Sequence, residues 1–266
     1  MNILDEIIAH KYHEVKERKS LYPVKLLEQS MHFEVKPVSL KKYIQRKDKS
    51  GIIAEIKRRS PSKGIINPNI SVEQVSIGYM QAGASALSVL TDEKYFGGAN
   101  KDLQVAREFN YCPILRKDFV VDEYQIVEAK SIGADAILLI AAALEPNRII
   151  ELTQFAKSLQ LEVLLEVHNE NELELNLSAD VDLIGVNNRD LKTFEVSIET
   201  SKQLASKIPD QFVKVAESGL DSAESIQTLK GVGFEGFLIG EAFMRTSQPE
   251  LACAKLVNEI QGLTGV

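Results

Sequence analysis

From residue 51 onward, short runs of apolar and β-branched residues alternate with longer stretches whose apolar positions recur at helical spacing. The runs cover 51–57, 86–91, 113–117, 136–141, 162–167, 182–187, 212–217 and 236–240. Between them, 72–82 places apolar residues at 72, 75, 79 and 82, and 122–132, 146–159 and 197–207 have the same texture. Pro146 stands where a helix tolerates proline best, in its first turn. Strands alternating with helices imply parallel pairing through right-handed crossovers. The run ends recur at intervals averaging about 26 residues, the size of one βα unit, and eight such units predict a (β/α)8 TIM barrel. A doubly wound open sheet is the competing layout. It calls for a Gly-rich fingerprint after its first strand, where this chain has Lys57-Arg58-Arg59-Ser60-Pro61-Ser62-Lys63-Gly64 instead.

Residues 1–50 stand outside the eight units and predict an N-terminal helical extension packed on a barrel of residues 51–266. Apolar residues at 3, 4, 7 and 8 predict an amphipathic helix over 3–16 with a charged far side, and a second helix starts within 37–43. A structural cap and a functional lid over one barrel mouth are both open readings.

Composition narrows the classes. The 266 residues are 44% hydrophobic and 26% charged, as in a globular protein, and carry a net charge of −7. That charge argues against general nucleic-acid binding. Cys112 and Cys253 have no CxxC partner, and the four histidines do not cluster with them at metal-ligand spacing. Both cysteines read as small core residues in a reducing compartment. The run 136–144 is too short to cross a bilayer, and the first residues lack a signal-peptide layout. The expectation is a cytoplasmic protein with neither nucleic acid nor membrane as partner.

Against the acidic background, the segment after the first run holds four cations, Lys57, Arg58, Arg59 and Lys63. With Ser60, Ser62 and Gly64 it suits a loop around an anion, and its like charges predict mobility without ligand. Barrel enzymes place their chemistry at the C-terminal strand ends. Residues two apart share a strand face, so Glu55 and Lys57 lie in phase with Ile53, Lys117 with Leu115, Glu166 with Leu164, Asn187 with Gly185, and Glu217 with Val215. Buried lysines and glutamates are rare unless paired or working; a salt-bridge network plugging the mouth is the plainer alternative. Ser218-Gly219 and Gly240-Glu241-Ala242, after the seventh and eighth runs, suit a phosphate site. Together these signals predict a small phosphorylated substrate.

The segments Glu55–Gly64, Ser88–Gly98, Leu115–Phe119, Leu165–Val167, Gly185–Leu191, Ala216–Gly219 and Leu238–Gly240 resemble, in order and over nearly the whole chain, the signature of indole-3-glycerol phosphate synthases. That resemblance implies a carboxy-lyase of tryptophan biosynthesis needing no cofactor or metal. It would convert 1-(2-carboxyphenylamino)-1-deoxyribulose 5-phosphate to indole-3-glycerol phosphate, with other tryptophan-pathway enzymes as possible partners. By position, Lys117 matches the general acid of ring closure, Glu166 the residue assisting proton transfer in dehydration, and Lys57 the lysine holding the aromatic carboxylate. Glu55, Asn187 and Glu217 match supporting polar positions, and Arg189 a position on the ring side. Ser60, Ser218, Gly219, Gly240 and the backbone of Glu241 match phosphate contacts; some relatives have Ser where this chain has Glu241. Pro61, Phe96, Phe119 and Leu138, with Tyr95, are candidates for an apolar wall against the aromatic ring. A phosphoribosyl isomerase, a Schiff-base aldolase using Lys57 or Lys117, and a phosphate-binding barrel without activity are the rival readings.

Overall fold

The computed structural model describes residues 3–190 and 193–264; Leu191, which closes the sixth-strand motif, lies outside them. The eight runs form eight parallel strands: β1 (Ile52–Ile56), β2 (Ala86–Leu90), β3 (Ile114–Lys117), β4 (Ala136–Ile140), β5 (Glu162–Val167), β6 (Leu183–Asn187), β7 (Val213–Glu217) and β8 (Gly236–Ile239). Each pairs with its sequence neighbours, and β8 pairs with β1 to close the barrel. Alternation along each strand divides the core in two. Ile53, Leu115, Leu138, Leu164, Leu183, Val213, Val215 and Leu238 fill the barrel interior. Their outward neighbours, such as Ile52, Ala54, Leu87, Ile114 and Ile184, pack under the surrounding helices.

Local chemistry sets the helix starts. Asp122 caps the Glu123–Ser131 helix in a reciprocal box with Gln125, Pro146 opens the Pro146–Ser158 helix, and Asn169 caps Glu170–Asn176.

The N-terminal extension reaches both ends of the barrel. The Leu40–Ile44 helix inserts Leu40 and Ile44 into the interior cluster. Its N-cap Ser39 donates to Glu162 Oε1 at 2.5 Å, at the start of β5, so it plugs the N-terminal end. The first helix spans Ile3–Leu21, longer than its apolar pattern predicts, and crosses the opposite mouth. Its buried face includes Ile7, Lys11 and Val15, one turn apart. Lys11 thus lies on the apolar face, one turn past Ile7, although it is charged. It is fully buried, paired with Asp92 and Asp118, each at 2.9 Å.

The loop after β1 also departs from expectation. Residues Arg59–Ser60 and Gly64–Ile65 form a small antiparallel hairpin. Arg58 makes a two-pronged ion pair with Asp102, at 2.5 and 2.9 Å, and Arg59 donates to the carbonyls of Lys94 and Tyr95. The like charges that predicted a mobile loop are thus taken up by acceptors in the 90s segment and the helix after it, and neither arginine lines the mouth.

Candidate active site

The C-terminal mouth opens into a cavity of about 370 Å3, within the range of small-molecule sites. Glu55, Lys57, Lys117, Glu166, Asn187 and Glu217 all line it, as the two-residue phase predicted. Lys117, at the end of β3, is the centre. Its ammonium lies 3.2 Å from Glu166 Oε2 and 3.3 Å from Glu217 Oε2. Lys57 pairs with Glu55 at 2.5 Å. Asn187 donates to Glu166 Oε1 at 3.2 Å and accepts from the Ser218 hydroxyl at 2.9 Å, which links the acidic centre to the Ser218-Gly219 turn.

Two glycines make room for these carboxylates. A side chain at Gly185 would strike Glu217 Oε1, with Leu164 Cδ1 at 3.2 Å, and one at Gly240 would strike the Glu55 carboxylate. Gly185→Ala is therefore expected to destabilise the fold by about 1–3 kcal/mol, the usual cost of overpacking a filled core. Denaturant unfolding checks this; a change below about 0.5 kcal/mol would mean that Glu217 is not packed against this strand.

The electrostatics follow from burial. Burial opposes the charge on Lys117, but the carboxylates of Glu217, Glu166 and Glu55 outweigh it and hold the ammonium above its ordinary value. Burial likewise opposes ionisation of Glu166, yet Lys117, His168 and Asn187 keep it well below the usual carboxylate range. Glu217 goes the other way. Burial, helped by Glu166 and Glu55, outweighs Lys117 and pushes it up to about 7, and its Oε1 has no hydrogen-bond partner. One cation thus serves two carboxylates whose environments separate them, an arrangement suited to acid–base work near neutrality.

The remaining predicted residues divide around this centre. Phe96 and Phe119 face each other with ring centroids 5.9 Å apart, and with Leu138 and Pro61 they form an apolar side of the cavity. Tyr95 does not join them: its ring packs against His10 and its hydroxyl donates to Glu6, so it belongs to the first helix's seat. Ser60, Ser218, Gly219, Gly240 and Glu241 also line the cavity. Ser218 and Gly219 both take left-handed backbone, φ 67° and 70°, turning the chain sharply at the rim. The Glu241 carboxylate is drawn to Arg189 at 3.1 Å and Lys63 at 3.5 Å. Arg189, which lines the same cavity, is thereby tied to the start of the Glu241–Met244 helix.

Sequence reasoning missed two groups. Ile3, Leu4 and Ile7 of the first helix line the cavity. His168 lies behind Glu166, its Nε2 3.3 Å from Glu166 Oε1. Strand parity was the available signal for His168, two residues beyond Glu166.

Comparison with known proteins agrees with this geometry. A family model described as indole-3-glycerol phosphate synthase matches residues 4–256. An indole-3-glycerol phosphate synthase of Bacteroides thetaiotaomicron is 47% identical over 260 residues, 98% of this chain and 99% of the relative. One from Prochlorococcus marinus is 43% identical, covering 97% of this chain and 90% of the relative. Among solved structures, a chain of the Pyrococcus furiosus tryptophan synthase complex superposes with a TM-score of 0.60 at 15% identity, covering 81% of this chain and 99% of that one. A thiamine phosphate pyrophosphorylase from the same organism gives 0.62 at 14%, over 85% and 99%. At such identities these two are similar in fold alone.

Proposed function

The chain belongs to the indole-3-glycerol phosphate synthase family, and we propose that Lys117, Glu166 and Lys57 at its barrel mouth carry the reaction of that family. The enzyme is a carboxy-lyase of tryptophan biosynthesis. It closes, decarboxylates and dehydrates 1-(2-carboxyphenylamino)-1-deoxyribulose 5-phosphate to indole-3-glycerol phosphate.

The observation that carries the assignment of roles is the Lys117 ammonium lying between Glu166 and Glu217 inside the cavity. Lys117 donates to the substrate carbonyl oxygen as the aromatic ring attacks the carbonyl carbon. Carbon dioxide then leaves, its bonding electrons restoring the benzene ring. Loss of water needs a proton on the new hydroxyl and a base for the adjacent carbon; Lys117 and Glu166 are the pair in reach of one another. Lys57, held by Glu55, binds the carboxylate of the substrate. Phe96, Phe119, Leu138 and Pro61 take the ring. Ser60, Ser218, Gly219, Gly240 and the backbone of Glu241 take the phosphate, and the pairing of the Glu241 side chain with Arg189 and Lys63 supports a backbone-only role.

In this reading residues 1–50 serve the barrel of 51–266 as an extension whose first helix walls the site. Among the described residues no helix is long and apolar enough to cross a membrane. The cytoplasm as compartment and other tryptophan-pathway enzymes as partners belong to the same proposal.

Mixing the protein with substrate is expected to give indole fluorescence and one carbon dioxide per turnover. The chain has no tryptophan, so background emission is low. Borohydride added during turnover should trap no lysine adduct. A covalent adduct would transfer the assignment to a Schiff-base aldolase, and turnover without carbon dioxide to an isomerase.

A further inference from the structure

The reaction has a proton deficit. Two protons go onto the carbonyl oxygen, which becomes a hydroxyl and then water. One proton comes off the neighbouring carbon as the indole ring forms, and the substrate carboxylate leaves as neutral carbon dioxide. Each turnover therefore takes one proton from solvent. Lys117 must be refilled, although it sits deep in the mouth with its side chain only 14% exposed.

Behind Lys117 runs a line of alternating charge. Glu166 follows at 3.2 Å, then His168 with Nε2 3.3 Å from Glu166 Oε1, then Glu172 with Oε2 3.2 Å from His168 Nδ1. Side-chain exposure rises along it, from 5% at Glu166 through 10% at His168 to 18% at Glu172. The line leads from the barrel centre to the cap of the Glu170–Asn176 helix. Glu172 is fixed there: Oε2 accepts from the His168 amide at 2.8 Å and Oε1 from Asn169 at 2.7 Å. His168 is thus anchored at Nδ1, while its buried Nε2 has no aligned hydrogen bond and Glu166 Oε1 close by. Most buried side-chain polar atoms are paired, so an open Nε2 beside a carboxylate calls for an explanation.

We propose that His168 and Glu172 return the consumed proton from solvent to Lys117 by way of Glu166. This rests on the reading of Lys117 as the acid. In one cycle the Nε2 proton passes to Glu166, and Glu166 passes a proton to the neutral Lys117 amine. The ring is then neutral with its proton still on Nδ1. When Glu172 takes a proton from water it no longer holds that N–H, and the ring half-turns about its Cβ–Cγ bond to bring the bare nitrogen to Glu172. The proton passes there and restores the imidazolium. No oxidant or other reactant is involved. Burial opposes a charged imidazole, but the adjacent carboxylates of Glu166 and Glu172 outweigh it and raise His168 to about 10, so the ring is loaded at neutral pH.

His168→Gln keeps a donor near Glu166 but cannot carry a proton. Its first release of carbon dioxide, measured with enzyme in excess over substrate at pH 7.5, is expected to stay within about threefold of the parent, because Lys117 starts protonated and gives its second proton only in the dehydration that follows. Its steady-state rate should fall tenfold or more, and imidazole added to the buffer should restore part of it. Carbon dioxide release and indole formation slowing together in the first turnover, or a steady-state rate equal to the parent's, would rule the relay out. A Lys117→Arg enzyme that completes its first turnover would instead remove the acid role itself, which keeps the two failures distinct.

Discussion

Replacing Lys117 by Met is expected to lower kcat by about 10²–10⁴, the contribution of a positioned general acid, while KM stays within a few fold. The amine is the group placed to protonate the carbonyl oxygen, and it is charged at neutral pH because Glu217, Glu166 and Glu55 overcome its burial. An ammonium held so firmly is a reluctant donor. Glu217 supplies the adjustment: pushed up to about 7, it takes a proton near neutrality and thereby releases one of the carboxylates that hold the Lys117 proton. Methionine keeps the length of the side chain but leaves Glu166 and Glu217 facing each other, so the variant should bind an extra proton at Glu217. Lys117→Arg separates charge from chemistry. It keeps a cation between the carboxylates and so the fold, but guanidinium does not give up its proton. Both variants should therefore be inactive, with Arg melting nearer the parent. More than a tenth of the parental kcat in either would sink the assignment of Lys117.

The barrel and the centre of its site were legible because both rest on short-range rules. Strand parity places Glu55, Lys117, Glu166, Asn187 and Glu217 above interior apolar residues, and register then aligns them at one mouth. What stayed hidden depends on partners far apart in the chain. Arg58 reads as a phosphate ligand until Asp102 is seen beside it. The pattern of the first helix does not show what Lys11 meets until the ends of β2 and β3 supply Asp92 and Asp118. The Leu40–Ile44 helix was predicted to exist, but periodicity does not say which end of a barrel a short apolar helix fills. The two-residue strands of the hairpin after β1 are too short to show alternation. Tyr95 was grouped with Phe96 by adjacency, whereas the loop sends one ring to the first helix and the other to the cavity.

Lys11→Met is expected to destabilise the protein by about 3–5 kcal/mol, the cost of removing one partner from a buried ion pair. Lys11 is fully buried against two fully enclosed acids, so no water replaces the lost cation. Asp118 retains Arg116 at 3.3 Å and the Thr91 hydroxyl at 2.5 Å. Asp92 still accepts from the amides of Tyr95 and Phe96, but loses its cation. The penalty should thus fall mainly on Asp92, and adding Asp92→Asn to Lys11→Met should recover part of it, a coupling that a double-mutant cycle measures. The pH dependence has a definite sign. Burial pushes Asp118 up, but Lys11 and Arg116 outweigh it and hold it well below the usual range. A carboxylate depressed in the folded state contributes stability above its unfolded value, near 4, and loses it as pH falls further. Parent and variant should therefore differ fully at pH 7 and converge in acid, as read by denaturant unfolding. A gap that stays constant from pH 7 to 3 would assign the loss to packing, not charge. The same substitution should also weaken turnover. Asp118 directly follows Lys117, and Lys11 holds the helix whose Ile3, Leu4 and Ile7 wall the cavity, so a buried charge far from the reacting atoms sets both the seat of that helix and the end of the strand that carries the acid.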